Sequence, residues 1–273
     1  MRKKYLVPVY IILIVASVLS IFPFIWTFIA ATHNNTQIFQ MEYTFTPGTN
    51  VMENYNELVK FAPIWRNLLN SFFISAVYTL CVLILDSMAG YAFAKFSFKG
   101  RDTIFFIILC SMFIPSQVTM IPLYLQLGKM KMLNSSFAVI VPSLVNVFGV
   151  FMIRQHMYSF PNELLDAARI DGAGEFRIFF SIVLPSLKPA LASLGIISFV
   201  NQWGNYLWPL IVLNQKENYT MPLVLSLMVA PGQVVKYGAL ILGAVLSIIP
   251  VLLIFLKFQK SFISGILGGA VKG

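Results

Sequence analysis

Long apolar runs alternate with short polar segments along the whole chain. Runs able to cross about 30 Å of hydrocarbon lie near residues 6–31, 68–94, 103–127, 137–158, 190–213 and 236–258. The pattern predicts an all-α fold, a polytopic membrane bundle of about six transmembrane helices forming a single transmembrane domain over residues 1–273. Pro23, Pro115, Pro122, Pro142, Pro209 and Pro250 fall inside these runs and are expected to bend them. The first run is longer than the roughly 7 to 15 apolar residues of a signal peptide and lacks a small-residue cleavage site, so it is read as a retained span.

Composition agrees: 58% of residues are hydrophobic and 11% charged, against roughly 25% charged in soluble domains. The net charge of +9 raises the question of nucleic acid, but the cations do not cluster with stacking aromatics on a soluble face, and no nucleic-acid partner is expected. They track sidedness instead. With the N-terminus inside, the cytoplasmic side receives Arg2, Lys3, Lys4, Lys95, Lys99, Arg101, Arg154, Arg169, Arg177, Lys188, Lys257, Lys260 and Lys272. The outer side keeps Lys60, Arg66, Lys129, Lys131, Lys216 and Lys236, which favours an N-in, C-in topology in contact with membrane lipid. Cys81 and Cys110 sit in apolar runs without metal-like spacing and read as small hydrophobes.

One stretch is far less membrane-like than the rest. Glu163 to Pro189 is predicted as helix, turn, helix outside the bilayer, with the turn at Asp171-Gly172 and a second helix from Phe176 ended by Pro185. Its apolar Leu164, Leu165, Ile170 and Phe176 suit docking, and Ala167 and Ala168 permit close backbone approach. The charges of Asp166, Arg169, Asp171, Glu175 and Arg177 would fix orientation. If Gly172 takes positive φ, a side chain there would misdirect the second helix. By residue type alone, an amphipathic loop lying on the membrane surface fits as well.

Asp166-Ala167-Ala168, Gly172, Ile182, Leu184 and Pro185 fall at the spacing of the EAA loop, the cytoplasmic signature of ABC-importer permeases. The whole chain resembles the maltose and lactose type of carbohydrate permease, with Asp166 standing where the motif has Glu. The resemblance implies a multi-pass protein of the cytoplasmic membrane that couples to an ATPase through Leu164, Leu165, Asp166, Ala167, Ala168, Asp171, Gly172, Phe176 and Pro185. It further implies a second homologous permease, two copies of a cytoplasmic ATPase that binds ATP and Mg, and an extracytoplasmic solute-binding protein. It also implies that the Asn214 to Val235 loop reaches towards that binding protein and that the glycine-rich C-terminal tail runs between the ATPase subunits. Thr32 to Asn67, on the same outer side, is long enough to form a lid or docking surface.

The chain itself carries no catalytic chemistry or cofactor site. There is no G-x-x-x-x-G-K-[ST] phosphate loop, and His33 and His156 fall at opposite membrane faces, leaving nothing for a triad or metal site. Two intramembrane stripes remain. Ser71, Ser75, Tyr78, Thr79, Asp86 and Gly90 share a face of the second span. Asp86 there is either a functional carboxylate or a group satisfied by water or a neighbouring helix. On the fifth span, Ser198, Asn201, Gln202, Asn205 and Trp208 form a candidate substrate pathway, since amides and an indole suit sugar hydroxyls and a pyranose face. The same groups also join helices in lipid. The leading expectation is an ATP-driven importer of carbohydrate; the alternatives are a proton-coupled secondary transporter using Asp86 and an ABC permease for another polar solute such as glycerol phosphate.

Overall fold

The computed structural model describes residues 6–40 and 45–270, with side chains as far as Gln259. Expectations for the basic N-terminus and for tail side chains lie outside the described residues. Helices α1 (Leu6–Ala30), α2 (Asn35–Phe39), α3 (Val51–Phe61) and α4 (Ile64–Lys95) open the chain. Then come α5 (Arg101–Cys110), α6 (Ser116–Lys129), α7 (Ser136–Ile140), α8 (Val147–Tyr158) and α9 (Asn162–Ile170). The series ends with α10 (Glu175–Ile178), α11 (Leu184–Ser186), α12 (Lys188–Trp203), α13 (Leu207–Val212), α14 (Met221–Met228) and α15 (Tyr237–Ala270). No strand occurs among the described residues.

Only α1, α4 and the described part of α15 are unbroken helices long and apolar enough to span. The other predicted spans are interrupted. The 103–127 run is α5 and α6, bent by 99° at Ile114 and Pro115. A residue before proline is driven out of the helical region, and Ile114 is extended with ψ 115°. The 137–158 run is α7, a 3₁₀ turn carrying Pro142, and α8, bent by 45°. The 190–213 run ends as a helix at Trp203 and resumes at Leu207, so it is not one span-length helix. Pro23, Pro122 and Pro250, by contrast, lie inside continuous helices.

The chain forms two compact units, Met1–Trp65 with Val224–Ile249, and Arg66–Leu223 with Pro250–Gly273. In the first, Ala31, Leu242 and Val245 form a small core against Tyr55 and Ile241. Buried Asn54 donates to the carbonyls of Ala31 and His33, both at 2.9 Å, satisfying the frayed end of α1. Asn34 caps α2 in a reciprocal capping box with Gln37.

The second unit holds the larger core. Tyr91, Ile153, Met157, Leu165, Ile178, Leu187 and Leu194 pack together, drawing α4, α8, α9, α10 and α12 into one cluster. The face of α4 predicted to be shared is an inward one, with Ser71, Ser75, Tyr78, Thr79, Asp86 and Gly90 all buried. Asn134, at φ 57°, ties two outer loops together: its Oδ1 accepts from the amides of Asn214 and Gln215 at 3.1 and 3.2 Å. Arg154 is buried against Phe105, with its guanidinium carbon 3.8 Å from the ring centroid, and donates to Asp102 Oδ1 at 3.0 Å and Phe93 O at 3.3 Å.

Candidate functional site: an intramembrane cavity and a charged elbow

Two places in the second unit carry the predicted residues. The first is the elbow formed by α9, a turn and α10. Helix α9 begins beside Lys95, whose Nζ donates to Phe160 O at 2.6 Å and Asn162 Oδ1 at 2.7 Å, so the end of α4 holds the α8–α9 corner. Gly172 follows α9 with φ +79°, and its main-chain amide donates to Arg169 O at 3.0 Å. This is the left-handed conformation that glycine adopts without steric cost.

Charges in the elbow are paired within it. Arg169 donates from Nε to Glu175 Oε1 at 2.7 Å and from Nη1 to Asp166 Oδ1 at 2.9 Å, and Tyr91 Oη donates to Glu175 Oε2 at 3.1 Å. The Glu175 hydrogen bond holds the Arg169 pKa above its already high ordinary value, so the guanidinium stays charged. The shorter Asp166, in place of Glu, reaches Arg169 across one helical turn.

The apolar residues divide. Leu165 and Ala168 are buried in the core and hold α9 in place, so they cannot serve as a docking face. Leu164, Ile170 and Phe176 point outward at 51%, 85% and 71% exposure, beside the exposed Asp166, Ala167 and Asp171. The second helix departs from expectation. Pro185 does not end it: Phe179–Val183 is a π-helical turn, Leu184–Ser186 continues helically, and the chain then bends by 80° into α12. Proline cannot donate to the carbonyl four residues back, and the widened turn before it gives the ring room.

The second place is a cavity of about 650 Å³. Polar groups from four elements meet there: Tyr78 of α4, Ser116 and Thr119 of α6, Asn146 at the α7–α8 break, and Asn201 and Asn205 at the end of α12. Phe148, Trp208, Met112 and Met120 add apolar surface. Among the lining residues there is no Lys, Arg, His, Asp or Glu.

Of the five fifth-span residues predicted together, Asn201, Asn205 and Trp208 line this cavity, whereas Ser198 and Gln202 are buried away from it. Trp208 is 6% exposed and its Nε1 donates to Ala138 O at 2.9 Å, so its polar edge is engaged in the fold. Asn205 Oδ1 accepts from Trp208 N at 3.4 Å, capping α13 after the break. Asn146, Ser116 and Thr119 were not singled out in the sequence. Their signal is position: each lies within four residues after a proline inside an apolar run, where a helix breaks and polar groups gather.

With this geometry in view, the chain belongs to a known family. Residues 86–268 match the binding-protein-dependent transport system inner membrane component, and the protein is a permease subunit of ABC-importer type, a transport component and not a catalyst. It is 37% identical over 259 residues to the arabinooligosaccharides transport system permease protein AraQ of Halalkalibacterium halodurans, covering 93% of this chain and 92% of that one. Identity is also 37% to the lactose transport system permease protein LacG of Rhizobium radiobacter, over 95% and 94% of the two chains. The sn-glycerol-3-phosphate transport system permease protein UgpE of Escherichia coli is 31% identical over 93% of both. In fold, the chain is similar to one in the crystal structure of a bacterial ABC transporter involved in the import of the acidic polysaccharide alginate. The TM-score is 0.80 at 22% identity, over 96% of this chain and 98% of that one.

Proposed function

We propose that this permease carries a neutral carbohydrate, an oligosaccharide, across the cytoplasmic membrane, and that the cavity beside Tyr78, Asn146, Asn201 and Asn205 is part of its path. The carrying observation is the lining: amides, hydroxyls and aromatic faces without a single charged side chain. Amides and hydroxyls exchange hydrogen bonds with sugar hydroxyls, and aromatic faces match pyranose rings. A glycerol phosphate dianion would instead call for Lys, Arg or a cluster of free amides. The higher identity to the arabinooligosaccharide and lactose permeases supports the same choice. A proton-coupled reading gains nothing here, since Asp86 does not line the cavity.

The elbow is assigned the coupling role. Leu164, Ile170 and Phe176 offer an outward apolar face to a separate ATPase, two copies of which bind ATP and Mg, and a second permease completes the membrane unit. Closure of the ATPase pair would move α9 and, through the Lys95 corner and the Leu165 core, tilt α4 and α8 as a body. The positive-inside bias puts this face in the cytoplasm. The outer loops would then meet a solute-binding protein.

Gentle detergent purification of the tagged chain is expected to recover an ATPase and a second permease. Proteoliposomes of that complex, supplied with its binding protein, are expected to accumulate labelled arabinotriose or lactose in preference to glycerol 3-phosphate. Gly172→Trp is expected to leave the chain inserted and to uncouple uptake from ATP hydrolysis. Solute accumulation by the isolated chain, or normal uptake by the Trp variant, would refute the assignment.

A further inference from the structure

The crossing of α4 and α8 is built from two reciprocal fits. A Cβ on Gly149 would overlap the Asp86 carboxylate, and a Cβ on Gly90 would lie 2.8 Å from Ile153 Cβ and 2.9 Å from the Arg154 main-chain nitrogen. Asp86 and Gly90 are one turn apart on α4, as are Gly149 and Ile153 on α8. Each helix therefore offers a side chain and a glycine to its neighbour at successive turns. Packing alone does not require charge at position 86, because an aliphatic side chain could fill the same notch.

Asp86 is 1% exposed, and its Oδ2 has no hydrogen-bond partner among the described residues. The Asn146 main-chain amide hydrogen-bonds to the carboxylate. Asn146 is the N-cap of α8, its Oδ1 accepting from Gly149 N at 3.2 Å, and its side chain stands within hydrogen-bonding reach of Tyr78. Asn146 and Tyr78 line the cavity. An unmatched carboxylate is costly in apolar surroundings, and here it is placed at the amide end of a half-helix, where main-chain donors lack partners.

We propose that Asp86 is a positioning residue for transport: it pins the break between α7 and α8, and thereby fixes Asn146 and Tyr78 where the cavity meets its solute. This rests on the cavity being the sugar path. The test uses the complete complex in proteoliposomes, with whichever of labelled arabinotriose or lactose the wild type accumulates. Asp86→Asn keeps the shape and removes the charge. It is expected to raise the KM for uptake about threefold or more while the maximal rate per inserted complex stays within about twofold. Asn146→Ala is expected to shift KM in the same direction.

A purely structural role for Asp86 would lower the amount of inserted complex and leave KM unchanged, and that result overturns the proposal. If Asn146→Ala shifts KM and Asp86→Asn does not, the positioning role fails while the cavity assignment stands. If neither shifts it, the cavity assignment falls and takes this role with it. Should Asp86→Asn fail to insert, Asp86→Ser paired with Gly149→Ala restores the fit, the added methyl occupying the vacated space. An increased KM in that pair supports the proposal, and an unchanged KM refutes it.

Discussion

Gly172 offers a test in which backbone conformation and side-chain size predict opposite orders. Its φ is +79°, and a Cβ built there would find no atom within 4 Å. Substitution is therefore opposed by the backbone and not by crowding. A left-handed residue with a Cβ costs about 1 to 2 kcal/mol, and less for Asn, whose short amide tolerates this region. A penalty of that size reduces the population of the observed turn relative to its alternatives by about 5- to 30-fold. Because α10 is aimed by this turn, the loss should appear as sugar imported per ATP hydrolysed in reconstituted complexes. The expected order is Gly above Asn, Asn above Ala, and Ala above Val, with insertion and ATPase binding retained. An order that follows size, with Ala above Asn, would refute the backbone argument and indicate that a partner surface fills the space beside Gly172.

Arg154→Ala removes an ion pair, a carbonyl hydrogen bond and a ring contact, and is expected to cost about 2 to 3 kcal/mol in a detergent melt. Arg154→Lys should recover less than half, since one ammonium cannot reproduce the planar contacts. Asn134→Ala combines a left-handed strain with two orphaned amides and should lower the melting temperature more than Asn134→Gly, which relieves the strain alone. Arg169 has its pKa raised in the fold, so its pairing contribution is fully present below the ordinary arginine value and is lost only above it. The Arg169 contribution should accordingly be flat from about pH 6 to 9, whereas an Arg169→Lys elbow should weaken as pH approaches about 10. Trp208→Phe, which loses the bond to Ala138 O, should cost about 1 kcal/mol of stability.

Much of this architecture was legible because lipid imposes simple rules. Hydropathy alone locates α1, α4 and α15, and the 100° periodicity correctly gathers Ser71 through Gly90 onto one buried face. The left-handed Gly172 was also readable, since an Asp-Gly pair after an amphipathic run marks a turn. Breaks within apolar runs were less legible. Pro115 splits its run while Pro122 and Pro250 do not, because the outcome depends on whether neighbours satisfy the freed carbonyls. The fifth-span residues were grouped by helical periodicity, yet the helix stops at Trp203, and Asn205 and Trp208 reach the cavity after the break. Exposure of Leu164 against burial of Leu165 depends on where the long-range core lies, which local pattern did not resolve.

The π-helical turn at Phe179–Val183 makes the chain unusually sensitive to length at that spot. Such a turn holds one residue more than an ordinary turn, so excising Ser181 would let it close as α-helix and would rotate everything downstream by about 100° relative to α10. Leu187, Ala190 and Leu194 would swing out of the core together. A deletion of one residue there should damage the protein far more than the loss of one residue from the polar loop at 96–100, where no helix has to keep its phase.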